Sequence, residues 1–385
     1  MVIRDLRILW HSVAPFTYSG YGVITKNLAL RIGQFYPLII SNYYGLMTGS
    51  AIKISNVRVL PTVDINWGEH SVKHYIEKFK INLPIVASDF WPFGWFARLP
   101  NSMFYGPIDS EDYSPDDIQA MRNYSYFVPC SEFGAKVYKQ ITKKSPIAMI
   151  PHGVDPKIYH PYPKKEVKKI FELKDDKFYF GIIAANSDPE PRKGWDDMII
   201  AFETFKEKFP NEAKKWMVFA YTKPFDPRGM NLWEMARKTH LEQHIIFPEH
   251  LAQTVGLPDF EMAKLYSCFD VFVNASRREG FCLPVLEAQA CGVPTIASNS
   301  SALPEIVSGH GWLVKMGEKI FTPKGWTCYR VDRDDLVRKI EEAYFNEEKR
   351  KEYSLSSIQF AQDFDWEKLV KERWLPLLES LNKKI

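Results

Sequence analysis

The chain has no C-x-x-C pair: its five cysteines, Cys130, Cys268, Cys282, Cys291 and Cys328, are odd in number and scattered. That spacing argues against a zinc site and a disulfide framework and fits a reducing compartment. An excess of charge is lacking too. The formal net charge of +3 at pH 7 is too small to point to nucleic acid, and the basic residues do not gather into one long tract. Two short basic runs, KKSP (143–146) and YPKKEVKK (162–169), read as solvated faces, contact with an anionic surface being the alternative. No apolar run approaches the ~18 residues of a membrane span. MVIRDLRILWHSVAP reads as a first strand rather than a signal peptide. The expected location is cytoplasmic, with peripheral contact at the inner membrane face left open. Internal repeats and low-complexity tracts are also missing.

What is present suits a soluble globular protein of about two domains. Of the 385 residues, 45% are hydrophobic, 25% charged and 15% aromatic. Short apolar runs alternate with longer amphipathic stretches, the pattern of parallel sheets covered by helices. In the first half RILW, YPLIISNY, NVRVLP, LPIVASDF, SMFYGPID and YSYFVPC read as strands. GVITKNLALRIG (22–33) and SEFGAKVYKQIT, capped by Ser131, read as helices, and PIAMIPHGVD (146–155) as a closing strand and turn. The Pro- and Lys-rich HPYPKKEVKK is taken as a linker. A second alternation follows, through FYFGIIAA, GWDDMIIAFETFKEKFP, WMVFAYT, MNLWEMARKTHL, HIIFPEHL, DFEMAKLYSCF, DVFVNAS, LPVLEAQACG, PTIASN, LPEIVSG and GWLV. Three helical stretches close the chain, the last capped by Asp365 and kinked at Pro376. The economical architecture is α/β: two Rossmann-like, doubly wound domains facing across a cleft, with ligands at the C-terminal ends of strands.

The segment REGFCLPVLEAQACGVPTIAS (278–298) holds Glu279 and Glu287 eight positions apart in apolar surroundings. Glu279 falls in the loop after DVFVNAS, where doubly wound sheets bind ligands. Glu287 falls in the first turns of the next helix, and the amides from Phe281 to Val285 at its positive end suit a diphosphate. Gly280 permits close backbone approach. The rival reading of Glu287 is an ordinary helix-surface carboxylate. Arg192 and Lys193, in PEPRKGWDDM (189–198), sit between a strand and a helix and can neutralise a pyrophosphate, the rival being a solvated basic loop. SGYG (19–22) joins the first strand to the first helix but is not a G-x-G-x-x-G, because position 25 is Thr. An ordinary tight turn is its alternative. Asp332-Arg333-Asp334 is better read as a helix cap than as a metal motif, and no metal is implied.

The stretch EGFCLPVLEAQACGVPTIAS closely resembles the E-x7-E signature of retaining glycosyltransferases of family 4, which have the GT-B fold. LYSCFDVFVNASRREGF, SALPEIVSGHGWLV and PHGVDPKIYHP resemble further segments of that family in the same order, so that the likeness covers about residues 125–375. The resemblance implies that residues 170–360 bind a nucleotide-sugar donor. It implies equally that residues 1–160, joined by a C-terminal helix at about 362–385, hold the acceptor side. By position, Glu287 matches the carboxylate that accepts from the donor's ribose hydroxyls, and Glu279 the one at the transferred sugar. The amides around Gly280, Phe281, Cys282 and Leu283 would face sugar and diphosphate. Cys282 stands where the family usually has glycine, and a thiol there narrows the sugar pocket. Arg192 and Lys193 match an R-K-G element on the donor phosphates. Gly20, Tyr21 and Gly22 resemble the loop that approaches donor phosphates and acceptor. Where many relatives carry a histidine near the reaction centre, FYGPIDSEDY places Asp109, to bind acceptor hydroxyls or draw off the acceptor proton. Asp109 as a plain turn residue remains open, with Asp89 a second candidate, and His152 is read as shaping a turn.

The implied activity is metal-independent, cofactor-free transfer from a UDP- or GDP-sugar to a glycan, lipid-linked or small-molecule hydroxyl acceptor. A nucleotide-sugar epimerase, a phosphorylase and a non-catalytic sugar-nucleotide-binding subunit are the alternatives. Base recognition is expected near HIIFPEH.

Overall fold

A computed structural model of the chain describes residues 6–64, 67–188, 190–248 and 256–385. They form two compact units, Met1–Gly153 with Phe364–Ile385, and Val154–Asp363.

In the first unit the strands are β1 (Ile8–Val13), β2 (Leu38–Tyr44), β3 (Ile52–Ile54), β4 (Val57–Leu60), β5 (Leu83–Ala87), β6 (Met103–Gly106) and β7 (Tyr126–Pro129). Most are apolar on both faces because helices cover both sides of a parallel sheet. Their order is β3-β4-β2-β1-β5-β6-β7, with β3 antiparallel to β4 and the other pairs parallel. The chain winds outward one way from β1 and the other way from β5. The loops after these two strands therefore diverge, which is the switch point where such sheets bind ligands. Ser19 accepts the Gly22 amide and starts the helix Gly20–Ile32. A Cβ on Gly22 would lie 2.0 Å from the Thr17 carbonyl oxygen, so only glycine fits this turn.

The closing helical stretch from Trp366 to Asn382 belongs to this unit. Trp374 is fully buried, its ring 5.8 Å from Trp10 and 4.9 Å from Tyr105. Asp365 caps its first turn, and the expected disturbance at Pro376 takes the form of a π turn over Val370–Trp374 just before the proline. PIAMIPHGVD, expected as a strand, forms none over 146–153. Pro146 and Pro151 remove donors there, and only the Ile147 and Ile150 amides bond to β7. The helices Glu69–Phe79 and Pro115–Asn123 were not among the sequence expectations.

The second unit carries β8 (Phe178–Ile183), β9 (Trp216–Tyr221), β10 (Ile245–Ile246), β11 (Val271–Asn274), β12 (Thr295–Ser298) and β13 (Gly311–Val314). All pair in parallel, in the order β10-β9-β8-β11-β12-β13. Its core centres on Phe180, Phe202, Phe205 and Trp216, against which Trp195 and Trp312 also pack. The switch point lies between β8 and β11, whose trailing loops carry Arg192 with Lys193 and Glu279 respectively. An unexpected hairpin, β14 (Met316–Phe321) and β15 (Thr327–Val331), follows. HPYPKKEVKK is not a linker: it contains the helix Lys164–Ile170, held by buried Val167 and by the Lys168 ammonium on the Lys177 carbonyl at 2.9 Å. Among the described residues of HIIFPEHL only Ile245–Ile246 is a strand; positions 249–250, the end of the expected base-recognition stretch, lie outside the described residues.

Candidate functional site

The loops after β8 and β11 are tied together by their backbones. The Arg277 amide donates to the Arg192 carbonyl at 2.8 Å. Gly194, with φ of +68°, turns the chain into the helix Trp195–Lys208, and any Cβ there would stand 2.2 Å from the Ala275 carbonyl oxygen. Serines clamp the far side: the Glu279 amide donates to Ser301 Oγ at 3.0 Å, and Ser300 Oγ donates to the Arg277 carbonyl at 2.7 Å.

This frame brings three of the expected residues together. Lys193 Nζ donates to Glu279 Oε1, and Arg192 Nη1 lies 3.5 Å from Glu279 Oε2 while its Nε reaches Asp188 at 3.3 Å. Glu279 is only 6% exposed. Burial pushes its pKa up, but the charges of Lys193 and Arg192 more than reverse this, and the carboxylate sits below its ordinary range. The arrangement is a buried anion that holds two cations at a strand's C-terminal end.

The adjoining helix Leu283–Ala290 begins without a side-chain cap, and its N-cap residue Cys282 has φ of +83°. The left-handed region favours glycine, so the thiol is carried at a backbone cost of order 1 kcal/mol. Cys282 Sγ accepts from Asn274 Nδ2 at 3.3 Å, and burial pushes the thiol pKa up. The amides expected to be open up to Val285 are fewer than the sequence suggested. Pro284 has none, and the Val285 amide turns back to the Cys282 carbonyl at 3.2 Å.

Glu287 does not join the Glu279 cluster. It is buried, so the helix-surface reading is excluded, and it accepts from Tyr266 Oη at 2.9 Å. Tyr159 is its second hydroxyl partner, and Asp259 is a nearby charge. Burial lifts the carboxyl to about 7, partly opposed by the Tyr266 hydrogen bond.

The other expected residues lie in the first unit. Gly20 opens the helix Gly20–Ile32, with open space where a side chain would stand. Half-buried Tyr21 donates to Asp89, and burial together with that carboxylate raises its phenol. Asp109 follows β6 and accepts from Tyr113 Oη at 3.3 Å and Ser110 Oγ at 3.4 Å. His152 is buried against Tyr105 Oη at 2.8 Å, and burial lowers its imidazole to about 3, which suits a structural part. Asp332 accepts the Asp335 amide at 2.9 Å, a helix cap.

Arg277 escaped the sequence reading. It is 1% exposed and pairs with Asp196 at 2.7 Å and Asp197 at 2.9 Å; Arg330 and Arg333 reach the same aspartates at 2.8 Å each. Arg278 reaches Glu190 at 2.9 Å. The available signal was two adjacent aspartates in GWDDM, at the start of the helix after β8, and two adjacent arginines in SRREG, on the loop after β11, which the switch point makes neighbours.

Three comparisons bear on this arrangement. The family model described as "Glycosyl transferases group 1" matches residues 164–359. The serotype-specific mannosyltransferase WbdA of Escherichia coli is 29% identical over 178 residues, 46% of this chain and 19% of that protein, so the chain spans about a fifth of this relative's length. Among solved structures, a sucrose-phosphate synthase from Thermosynechococcus elongatus aligns with TM-score 0.78 at 14% identity over 98% of this chain and 100% of that one. HepE from Anabaena, solved with UDP-glucose, aligns with TM-score 0.72 at 14% identity over 98% and 100%. The fold is GT-B.

Proposed function

The chain belongs to the Glycosyl transferases group 1 family, and from that premise we propose that it moves a sugar from a UDP- or GDP-activated donor to a hydroxyl acceptor, with retention at the anomeric carbon and no metal ion. The observation that carries this reading is the convergence of Lys193 and Arg192 on buried, ionised Glu279 at the β8–β11 switch point. A nucleotide diphosphate is an anion that needs charge held at a strand end, and these cations are already aimed there by Glu279. In this reading they neutralise the leaving diphosphate. The backbone of Gly280, Phe281, Cys282 and Leu283 lines the sugar and phosphates, and Glu287 accepts from the ribose hydroxyls. Within the first unit, Asp109 takes an acceptor hydroxyl.

The chemical step breaks the bond between the anomeric carbon and the diphosphate oxygen, and the acceptor oxygen forms a new bond on the same face. A departing phosphate oxygen receives the acceptor proton. Glu279 orients the sugar's hydroxyls. WbdA's name makes mannose the first sugar to try, and the HepE complex makes UDP-glucose the second.

The test supplies GDP-mannose or UDP-glucose with a saccharide acceptor panel in EDTA. It follows nucleotide release and reads the product's anomeric configuration by NMR. An α-linked product from an α-linked donor is expected. An inverted product, a requirement for added metal, or a new nucleotide sugar formed without acceptor would each overturn the reading.

A further inference from the structure

The switch point of the first unit is lined by exposed rings, and the loop segments that form it contain no lysine or arginine. Trp67 and Trp91 are 43% and 44% exposed, with ring centroids 6.3 Å apart at 76°. Trp67 is not loosely displayed. It has φ of +53°, its carbonyl meets His11 Nε2 at 2.8 Å, and its ring packs on Tyr43 at 5.4 Å and Phe93 at 5.7 Å. A bulky residue held in the left-handed region over a packed wall is backbone strain kept in place by its surroundings, a feature that clusters at binding sites. Tyr18 and Tyr44 are also exposed. The Tyr44 carbonyl accepts the Ala14 amide at 2.9 Å, which holds their two loops side by side.

The segments that run past the C-terminal ends of β1, β2, β4, β5 and β6 are residues 8–25, 32–52, 59–72, 84–97 and 106–121. None contains a lysine or an arginine. They do contain carboxylates, among them Asp89 after β5 and Asp109 after β6. Surfaces that dock on anionic membranes set basic residues beside their aromatic ones, and sites for phosphorylated ligands place cations on the phosphate. This edge does neither. A pyranose, by contrast, offers apolar C–H faces to flat rings and hydroxyl donors to carboxylates.

We infer that the ring-lined edge after β1, β2 and β5 is an acceptor site for an uncharged saccharide, stacked on Trp67 and Trp91 and hydrogen-bonded at Asp89. This deepens the proposed function and rests on its placing of the acceptor on the first unit.

The test applies the full-length protein to an immobilised panel of neutral, phosphorylated and sialylated oligosaccharides, with anionic phosphatidylglycerol vesicles alongside. Neutral glycans should bind. Their signal should fall at least tenfold in Trp91→Ala, recover substantially in Trp91→Phe, and be unchanged in Trp233→Ala, an exposed tryptophan of the second unit. No neutral-glycan signal, a preference for phosphorylated or sialylated glycans, binding to vesicles in their place, or an unaltered Trp91→Ala would overturn the inference. Melting shifts with UDP and GDP on the same preparation separate the two readings. A shift without neutral-glycan binding sinks the acceptor inference alone. Neutral-glycan binding without a shift keeps the saccharide site and removes the donor assignment.

Discussion

Lys193, on the loop after β8, gives its ammonium to the carboxylate of Glu279, which sits 86 positions later on the loop after β11. The pair closes the switch point of the second sheet, and it makes the two residues respond differently to substitution. If Lys193 meets the leaving phosphate as proposed, Lys193→Ala removes that charge, and kcat/KM should fall by about 10²–10³. In Glu279→Gln the two cations lose their shared anionic partner, Arg192 keeping Asp188, and on the proposed function they turn toward the diphosphate. Turnover should fall while nucleotide diphosphate binds as tightly as before or tighter, read by calorimetry. Equal loss of nucleotide affinity in both variants would contradict this division of labour.

Glu287 predicts an unusual pH dependence of stability. Its folded pKa of about 7 lies above its ordinary value of 4.5 because burial penalises the charged form. A raised folded pKa means that this carboxyl's contribution is fully present below about pH 4.5 and is lost as pH climbs through 7. The loss amounts to about 3 kcal/mol at most. Glu287→Gln, neutral at every pH and still able to accept from Tyr266, should match the wild type near pH 5 and exceed it near pH 8.5 in urea unfolding. Parallel curves across that range would show that the carboxyl is not held neutral. Because ribose hydroxyls would donate to the ionised form, nucleotide stabilisation of the wild type should also grow from pH 6 to pH 8.

Much of the fold was legible because strands buried on both faces read as continuous apolar runs, as in YPLIISNY and DVFVNAS. The helix Glu69–Phe79 was missed although Val72, Tyr75, Ile76 and Phe79 stand at helical spacing, because of these only Val72 is buried and charged residues fill the positions between. The helix Pro115–Asn123 did announce itself through the Ser114-Pro115-Asp116-Asp117 start, a cap signal the reading passed over. At the site, Glu279, Arg192 and Lys193 were legible one by one through their motifs. That all three converge depends on sheet order, which periodicity does not carry. A fully buried arginine such as Arg277 looks like any surface arginine until its aspartates are placed beside it.

Cys282 tests whether backbone strain or side-chain contact rules the helix start. At φ of +83° a glycine should relieve about 1 kcal/mol, offset in part by the extra freedom it gives the unfolded chain and by the lost contact with Asn274. Cys282→Gly should therefore melt at or above the wild-type temperature. Cys282→Val, branched where the backbone tolerates branching least, should melt several degrees lower, roughly 5 °C for a loss near 1–2 kcal/mol. A glycine variant that melts well below the wild type would assign the position to the thiol.

Arg277 has the largest predicted effect on the fold itself. Asp197 is fully buried and shares Arg277 with Asp196, so removing the guanidinium leaves carboxylates inside the protein with, among the described residues, Arg330 and Arg333 to balance them. Arg277→Ala should cost about 3–5 kcal/mol, as the breaking of a buried ion pair does. Arg277→Lys keeps the charge but cannot bridge both aspartates with one planar fork, and should recover only part of the loss. Asp197→Asn in the Arg277→Ala background should restore part of the stability, because it removes one of the two carboxylates left sharing fewer cations; a double-mutant cycle by urea unfolding measures that coupling. The same loop carries Glu279, so Arg277→Lys should lower kcat more than it raises KM. If Arg277→Ala unfolds less than about 1 kcal/mol more easily than the wild type, the cluster is not what holds the loops after β8 and β11 together.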